Sequence, residues 1–319
     1  MTNQAPDIAV IMAVYNESAY VCEAIESILN QSFTNFEFII VDDGSTDDSL
    51  KKIRSFDDKR ITIIRQENRG ASAARNRAVE AARAEYIAVL DSDDVAETNR
   101  LEKQYRYLEK HPSVIAVGGL AAVITEEGNY LYTIQKEINP EKIKSKLPKM
   151  AFIHPTVMFR RNKFIKAGGY PGKFEPMEDC VLFNRMSRFG DYANIPEPLI
   201  KYRITPASIS RTSKKLKAYL YFLVAEDFRG EEITDEQMKK LQRLREKDTG
   251  SERLYAYHTF LAKKFLWNNY QPLQSRAHAK KALEYKKNMF GRLLWLATFL
   301  PEKVVLLLYK RLKKPVSRQ

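Results

Sequence analysis

AEYIAVLDSDD, residues Ala84 to Asp94, decides how this chain is read. An apolar run of strand type, Tyr86 to Leu90, ends in Asp91, Ser92, Asp93 and Asp94. A buried strand cannot hold three carboxylates in its interior, so they must lie at its end and meet positive charge. Like charges this close need a cation to stay ionised together. A divalent cation carrying a phosphate group meets that need, because hard cations prefer oxygen ligands. The carboxyl end of a strand is also where open α/β sheets bind ligands.

Upstream, the same strand-then-polar-loop unit repeats. Ile8 to Ala13 is a continuous apolar run, as in a parallel strand buried on both faces. Tyr15, Asn16 and Glu17 form the loop after it. Val21, Ala24, Ile25, Ile28 and Leu29 then recur at helical spacing, predicting a helix from about Ser18 to Asn30. Phe36 to Val41 is a second strand, ending in DDGSTDDS before a helix expected over 47–56, with Ser45 or Thr46 as its N-cap. Ile61 to Ile64 is a third strand, and an Ala-rich helix opens after Gly70. The order βαβαβαβ implies a parallel sheet covered on both faces, with the three acidic or polar loops on one rim.

Downstream, Leu101, Tyr105 and Leu108 mark a helix that Pro112 stops. Val114 to Val117 reads as a strand before a Gly-Gly step, followed by a hairpin through Glu126 to Asn129. A connecting helix is expected within 139–150, a strand at HPTVMFRR (His154 to Arg161), a helix from near Glu178, and a last strand from Ile195 to Tyr202. Beyond Thr212 the chain turns helical, with segments expected at 213–229, 234–248, 251–270 and 272–288. The final apolar blocks are split by Pro301, Glu302 and Lys303.

At 319 residues and 44% hydrophobic content the chain can bury a sizeable core. Cys22 and Cys180 show no CxxC spacing, which disfavours a disulfide framework or thiolate metal site. MTNQAPD leads straight into a strand, with no basic or apolar leader segment, so no signal peptide is expected. Charge is uneven. Residues 1–210 hold 28 Lys and Arg against 29 Asp and Glu, whereas residues 211–319 hold 25 against 11. The excess of the last third suits an anionic partner or a solvated basic surface. Neither terminal apolar block reaches the ~20 residues needed to span a bilayer. An interfacial segment over 291–314 is expected instead, with Trp295 and Tyr309 at headgroup level and Lys310 to Lys314 on anionic lipid, the alternative being an amphipathic helix packed on the domain or a partner.

Asp47 and Asp48 suit the first turn of a helix, where acids meet its positive end. Asp42 and Asp43 precede that helix and can instead accept hydrogen bonds from a nucleotide base or ribose. Asp91, Asp93 and Asp94 form the cluster for the cation, a Mg²⁺ or Mn²⁺ ion acting as Lewis acid on a leaving diphosphate. Arg69 and Arg75 flank Gly70 at a helix start, a setting that suits phosphate or pairing with the aspartates. Glu178 and Asp179 lie far from the cluster in sequence. If the second half folds over the rim, one of them is a general base for an acceptor hydroxyl. His154, before Pro155, is a lone histidine of structural or substrate-facing type.

VIMAVYNE, FEFIIVDDGSTDDS, NRGASAARNRA, AEYIAVLDSDD, GGYPGKFEPMEDCVLFNRMSRFG and IKYRIT, in this order, resemble glycosyltransferase family 2 of the non-processive bacterial type, from about Ile8 to Arg211. The resemblance implies an α/β GT-A fold: a Rossmann-like, mostly parallel sheet flanked by helices, here with a C-terminal helical extension. Residues 1–211 would form the nucleotide-sugar-binding and catalytic domain; 212–319, beyond the resemblance, would be the basic helical region whose composition suits a membrane surface. It implies inverting transfer of a sugar from a nucleotide diphosphate sugar, commonly a UDP-sugar, with Mn²⁺ or Mg²⁺. Ala13, Tyr15 and Glu17 match the nucleotide-contacting loop, and Asp43, with Asp42 beside it, matches the uracil-contacting acid. Gly70 and Arg75 match the nucleotide-side helix. Asp91 and Asp93 match the DxD metal motif, with Asp93 the direct ligand and Asp94 near the donor sugar. Asp179 of the Glu178-Asp179 pair matches the catalytic base, and Arg203 a basic residue after the last core strand.

Two departures fall on the acceptor side: Cys180-Val181-Leu182 after the acidic pair, and Pro171-Gly172-Lys173 after Gly-Gly-Tyr. The QxxRW motif of processive members is absent, which favours single-sugar addition. The acceptor implied is a saccharide or lipid-linked saccharide of envelope polysaccharide synthesis, met in the cytoplasm at the inner face of the cell membrane. A nucleotidyltransferase of sugar phosphates is the enzymatic rival, but the loop AVYNES after the first strand has no glycine. A nucleic-acid-binding role for the basic tail is disfavoured, because its charge shares the segment with Trp- and Leu-rich apolar blocks.

Overall fold

The computed structural model describes residues 5–148, 151–206, 214–247 and 250–313. Its first half alternates strand and helix: β1 (Ile8–Val14), α1 (Val21–Leu29), β2 (Phe36–Asp42), α2 (Ser49–Ile53), β3 (Ile61–Arg65), α3 (Ala71–Ala81) and β4 (Tyr86–Val89). All seven residues of β2 and all four of β4 are buried. β1 pairs in parallel with β2 and β4, and β2 with β3. The register sets Val14 opposite Asp42 and Asp42 opposite Arg65, so these strands end on one rim. The spatial order β3-β2-β1-β4 means that the chain leaves β1 on one side and returns on the other. Such a reversal opens a crevice outside the carboxyl ends of the strands, here β1 and β4.

Alternation along β1 builds two cores. Ile8, Val10 and Met12 pack with Val21, Ile25 and Ile28 of α1 on one face. Ala9 and Ile11 pack with Ala74, Ala78 and Val79 of α3 on the other. The small alanines let α3 lie close to the sheet, which matters for the site it carries.

The second half adds β5 (Val95–Ala96), α4 (Arg100–Lys110), β6 (Val114–Ile124), β7 (Tyr130–Ile134), α5 (Pro140–Ser145), β8 (Met158–Arg160), α6 (Arg161–Ala167), α7 (Glu178–Met186) and β9 (Asp191–Arg203). The sheet continues β4-β8-β6-β9-β5, with β7 beside β6. β8 runs antiparallel to both β4 and β6, so this half is mixed.

Three local expectations are corrected. The strand at Val114 does not stop at the Gly-Gly step but runs through it. A Cβ on Gly118 would lie 2.6 Å from Asn194 Oδ1, and one on Gly119 2.5 Å from Leu199 Cδ1, so the glycines admit β9 at close range. HPTVMFRR is strand only from Met158, because His154–Thr156 forms a 3-10 turn and Pro155 has no N–H for a ladder. The helix expected over 47–56 is only Ser49–Ile53, and neither Ser45 nor Thr46 caps it. Ser45 Oγ accepts from Asn16 N, while Asp47 accepts from Ser49 N at 2.9 Å and from Ser18 N at 3.0 Å.

The remaining helices are α8 (Lys214–Arg229), α9 (Asp235–Glu246), α10 (Gly250–Trp267), α11 (Pro272–Tyr285), α12 (Met289–Ala297) and α13 (Glu302–Lys313). The chain divides into two compact units: Met1–Ile124, Thr133–Arg203 and Leu220–Ile233 form one, and Thr125–Tyr132, Ile204–Tyr219 and Thr234–Gln319 the other. In the second, Ala262, Leu266, Ala279, Leu294 and Val305 form a small core. Thr234 and Gln237 close a capping box on α9. Among the described residues no helix is long and apolar enough to cross a membrane.

Candidate active site

Every sequence-derived site residue lies in the sheet-bearing unit, at or near the rim. The junction between the two acidic motifs is Arg75, on α3. Its Nη2 donates to Asp91 Oδ1 at 2.9 Å and its Nη1 to Glu178 Oε1 at 2.9 Å. Residues 87 positions apart in sequence thus share one guanidinium. Arg75 therefore pairs with carboxylates, as one of its two readings expected, and its own pKa is raised: burial opposes this, and Asp91 and Glu178 outweigh it.

Arg203, the last residue of β9, closes the opposite side of the DSDD loop. Its backbone N–H donates to Asp94 Oδ1 at 2.8 Å and its Nε to Asp93 O at 2.9 Å. Its guanidinium stacks over Tyr20 and pairs with Glu23 of α1.

The charges in this loop oppose one another. Burial and then Asp91 push Asp93 up to about 7. Burial, Asp93 and Asp91 hold Asp94 well above the carboxylate range. Glu17 is pushed up to about 8 by burial and by Asp93, Asp91 and Asp47. Burial would raise Asp91 too, but Arg75 outweighs it and holds Asp91 below the usual value.

Among the described residues no group of three or more His, Cys, Asp or Glu side chains is set to hold a metal unaided. A site of one or two carboxylates completed by phosphate oxygens is the usual arrangement for Mg²⁺. The residues present fit that arrangement. Besides burial, the Asp91 charge disfavours the anions of Glu17, Asp93 and Asp94, the Asp93 charge disfavours those of Glu17 and Asp94, and Asp94 Oδ2 is buried with no partner. A divalent cation would relieve both conditions.

Around the end of β1, Ala13, next to last in the strand, is half-buried, Tyr15 is exposed, and the Glu17 N–H donates to Ser49 Oγ at 2.8 Å. Asp43 holds the loop before α3: it accepts from Gln66 Nε2 at 2.7 Å, Arg69 N at 2.9 Å and Gly70 N at 2.9 Å. That leaves about one of its four lone-pair directions for a ligand. Asp42 is wholly buried and accepts from Ser45 N at 3.3 Å, with Arg65 Nε at 3.6 Å, so it supports the loop from beneath. Gly70 has φ +88, a conformation glycine adopts without strain.

The amides at the start of α3, expected to meet phosphate, are engaged by the chain's own acids. Arg69 N and Gly70 N hold Asp43, and Ser72 N donates to Glu175 Oε1 at 2.8 Å. The Arg69 side chain is exposed.

Asp179, at the first turn of α7, accepts from the N–H of Cys180 at 2.7 Å. Burial and the neighbouring Glu178 charge push it up to about 7, a value suited to a base working near neutrality. Glu178 is raised as well, first by burial, and its Oε2 is buried without a partner. His154 meets the Tyr170 hydroxyl at 2.9 Å, and burial, helped by Arg75, lowers it to about 3, so it is neutral.

Sequence reasoning missed four residues. Arg100, fully buried, donates to Val89 O at 2.6 Å and to Gln104 Oε1 at 3.0 Å, beneath the acidic loop. Burial lowers it to about 9 although Asp94 and Asp91 favour its charge. Its signal was legible: Arg100 and Gln104 share the buried stripe of α4 with Leu101 and Leu108. Lys136 is buried enough to lower its pKa and close enough to Asp179 to feel that charge. Glu175 and Asn76 carried no signal beyond their place in recognised motifs.

Residues 9–169 match the family Glycosyl transferase family 2. An uncharacterized glycosyltransferase of Methanocaldococcus jannaschii is 38% identical over 231 residues, covering 68% of this chain and 78% of its own. The O-antigen biosynthesis glycosyltransferase WbnJ of Escherichia coli is 37% identical over 219 residues, covering 66% and 84%. Among solved structures, S. aureus TarS 1-349 in complex with UDP-GlcNAc is similar at a TM-score of 0.56, with 16% identity and coverage of 97% and 93%. Mannosyltransferase PcManGT from Pyrobaculum calidifontis, in complex with GDP-Man and Mn²⁺, is similar at 0.56, with 17% identity and coverage of 97% and 86%. These two likenesses bear on the fold, which is the GT-A arrangement of an α/β sheet with a helical region after it. Together the matched residues and the relatives establish that the chain belongs to glycosyltransferase family 2 and is a glycosyltransferase.

Proposed function

We propose that the protein moves a single sugar, with inversion, from a UDP-sugar to a hydroxyl of a saccharide or lipid-linked saccharide in envelope polysaccharide synthesis. The observation that carries this reading is the Arg75 bridge, which sets the DSDD loop and the Glu178-Asp179 pair around one guanidinium. A donor-holding group and a base must face one reacting carbon for in-line displacement. The neighbours in complex with UDP-GlcNAc, and with GDP-Man and Mn²⁺, support a nucleotide-sugar donor and a divalent cation in general.

In this reading residues 1–211 bind the donor and carry out the chemistry. Ala13, Tyr15, Glu17, Asp43 and Gly70 take the nucleotide side, with Asp42 behind them. Asp93, with Asp91, holds Mn²⁺ or Mg²⁺, which when bound stabilises the negative charge of the departing diphosphate. Asp94 orients the donor sugar. Asp179 takes the proton of the acceptor hydroxyl as its oxygen bonds to the anomeric carbon. The bond to the diphosphate breaks on the opposite face, and the nucleoside diphosphate leaves with the electron pair. Glu178, tied to Arg75, keeps the start of α7 in place.

Residues 212–319 form the basic region, with peripheral membrane contact through 291–314 at the inner face of the cell membrane. Met289 is 77% exposed, Leu293 58% and Leu307 54%, and such unpartnered apolar side chains on basic helices suit an anionic lipid interface. The side chains of Lys310 to Lys314 lie outside the described residues.

The test is a screen of nucleotide sugars with Mn²⁺, reading release of nucleoside diphosphate, followed by Asp179→Asn with the best donor and acceptor. Turnover of one donor, lost by orders of magnitude in the variant while donor binding persists, supports the reading. Lack of turnover and of nucleotide binding across the screen, or a fully active Asp179→Asn, overturns it.

A further inference from the structure

Three residues of α3, Ser72 through its main-chain N–H and Arg75 and Asn76 through their side chains, hold the segment that leads into the acidic pair. Ser72, Arg75 and Asn76 stand at i, i+3 and i+4, the spacing of neighbours on a helical face. Ser72 N takes Glu175, and Arg75 takes Glu178. Asn76 makes the most specific of these contacts. Its Nδ2 donates to Tyr170 O at 2.9 Å, and its Oδ1 accepts from Tyr170 N at 2.8 Å. The carboxamide thus meets both main-chain groups of one residue, as a neighbouring strand would. Gly169, at φ +71, permits it, since a Cβ there would lie 2.8 Å from Asn76 Oδ1. Tyr170 in turn places its hydroxyl on His154 and its ring 5.8 Å from the Arg75 guanidinium.

We propose that Asn76 is a positioning residue for the transfer step. By clamping the main chain of Tyr170 it sets where residues 170–179, and with them the Asp179 carboxylate, stand relative to the DSDD loop. This rests on the functional reading above. α3 is anchored to the sheet by Ala74 and Ala78 on its buried side, so the clamp refers the base to the same rigid body that carries Arg75. The amide side chain carries the donor and the acceptor that the clamp uses on two atoms of one planar group, so each meets a different main-chain atom of Tyr170. A displacement of about 1 Å in a reacting group suffices for a loss on the order of 100-fold.

The test is Asn76→Ala in the full-length protein, with two readouts. Amide hydrogen exchange should become at least about tenfold faster in residues 168–179 and stay unchanged in β1 and β4. Release of nucleoside diphosphate from the donor found in the screen should fall about ten- to a hundredfold, while affinity for the nucleoside diphosphate with Mn²⁺ stays within about twofold. Gly169→Ala should reproduce both effects, and the double variant should be no slower than the worse single one, because both act through one contact. Unchanged exchange in 168–179 overturns the proposal, as does an unchanged rate or a nucleotide affinity that falls in step with the rate. If the wild-type protein turns over no nucleotide sugar, the functional reading fails. The exchange experiment alone then decides whether Asn76 clamps the segment.

Discussion

Replacing Arg75 by methionine keeps most of the apolar stem and removes the guanidinium between Asp91 and Glu178. The Arg75 side chain is 11% exposed, Glu178 10% and Asp91 28%, so both pairs are shielded from water. Removing one partner of a buried pair costs about 3–5 kcal/mol, since the other charge stays buried without compensation. Here two carboxylates lose one partner. Asp91 is the wetter of the two and recovers part of its loss from solvent, so the expected destabilisation is about 3–5 kcal/mol near neutral pH rather than twice that.

The pH dependence follows from linkage. Asp91 is held below its ordinary value in the folded chain, so the stability it contributes through Arg75 is complete above its unfolded pKa. That contribution disappears as pH falls through the folded value, and the gap between wild type and variant should narrow below about pH 4. Equilibrium urea denaturation of both proteins at neutral and acidic pH measures this. Arg75→Lys should recover only part of the loss, because an ammonium cannot present two parallel donors to two carboxylates. A loss under about 1 kcal/mol for Arg75→Met at neutral pH would refute the argument, since that is the size of an exposed pair.

With Asp179 as the proposed base, activity should rise with pH through about 7 on its acid side, because a base must be unprotonated to accept a proton; a pH–rate profile flat from 5 to 8 counts against Asp179. Asp93→Asn should weaken Mn²⁺-dependent nucleotide binding at least tenfold, seen by calorimetry, with metal-free binding little changed. Leu293→Glu with Leu296→Glu should abolish flotation with anionic vesicles. Each buried leucine contributes roughly 1.5–3 kcal/mol, and wild-type flotation should weaken at high salt. In the helical unit, His258 and His278 face each other at 3.0 Å, and burial, then the His258 charge, lowers His278 to about 4. The unfolded chain therefore takes up protons first, and stability of this unit should fall as pH drops from about 6.5 to 4, as circular dichroism melts can follow. His278→Phe should flatten that dependence.

The donor half was legible because each strand and each polar loop announces itself locally. The Ile8, Phe36 and Tyr86 runs are apolar enough to be buried on both faces, and their acids have nowhere to go but the ends. The acceptor half was less legible because its strands take their ends from partners. Nothing in VIAVGGLAAVI itself says that the strand continues past its glycines; only the approach of Asn194 and Leu199 requires them. The likeness to family motifs brought Asp91 and Glu178 into one site, but not the means. That Arg75 reaches both, or that Glu175 meets the start of α3 in place of a ligand, depends on folding across about a hundred residues. Arg100 could have been found, as a charge on the buried stripe of α4.

The three contact points along α3 carry a consequence for anyone who would redirect this enzyme by transplantation. A loop borrowed from another member, however well it suits a new sugar chain, must still offer a carboxylate, a main-chain pair and a second carboxylate in register with Ser72, Asn76 and Arg75. Grafts that ignore that lock should fold yet turn over poorly, whereas grafts that keep it, together with Gly169 and Asp179, should be free to vary elsewhere along the exchanged piece.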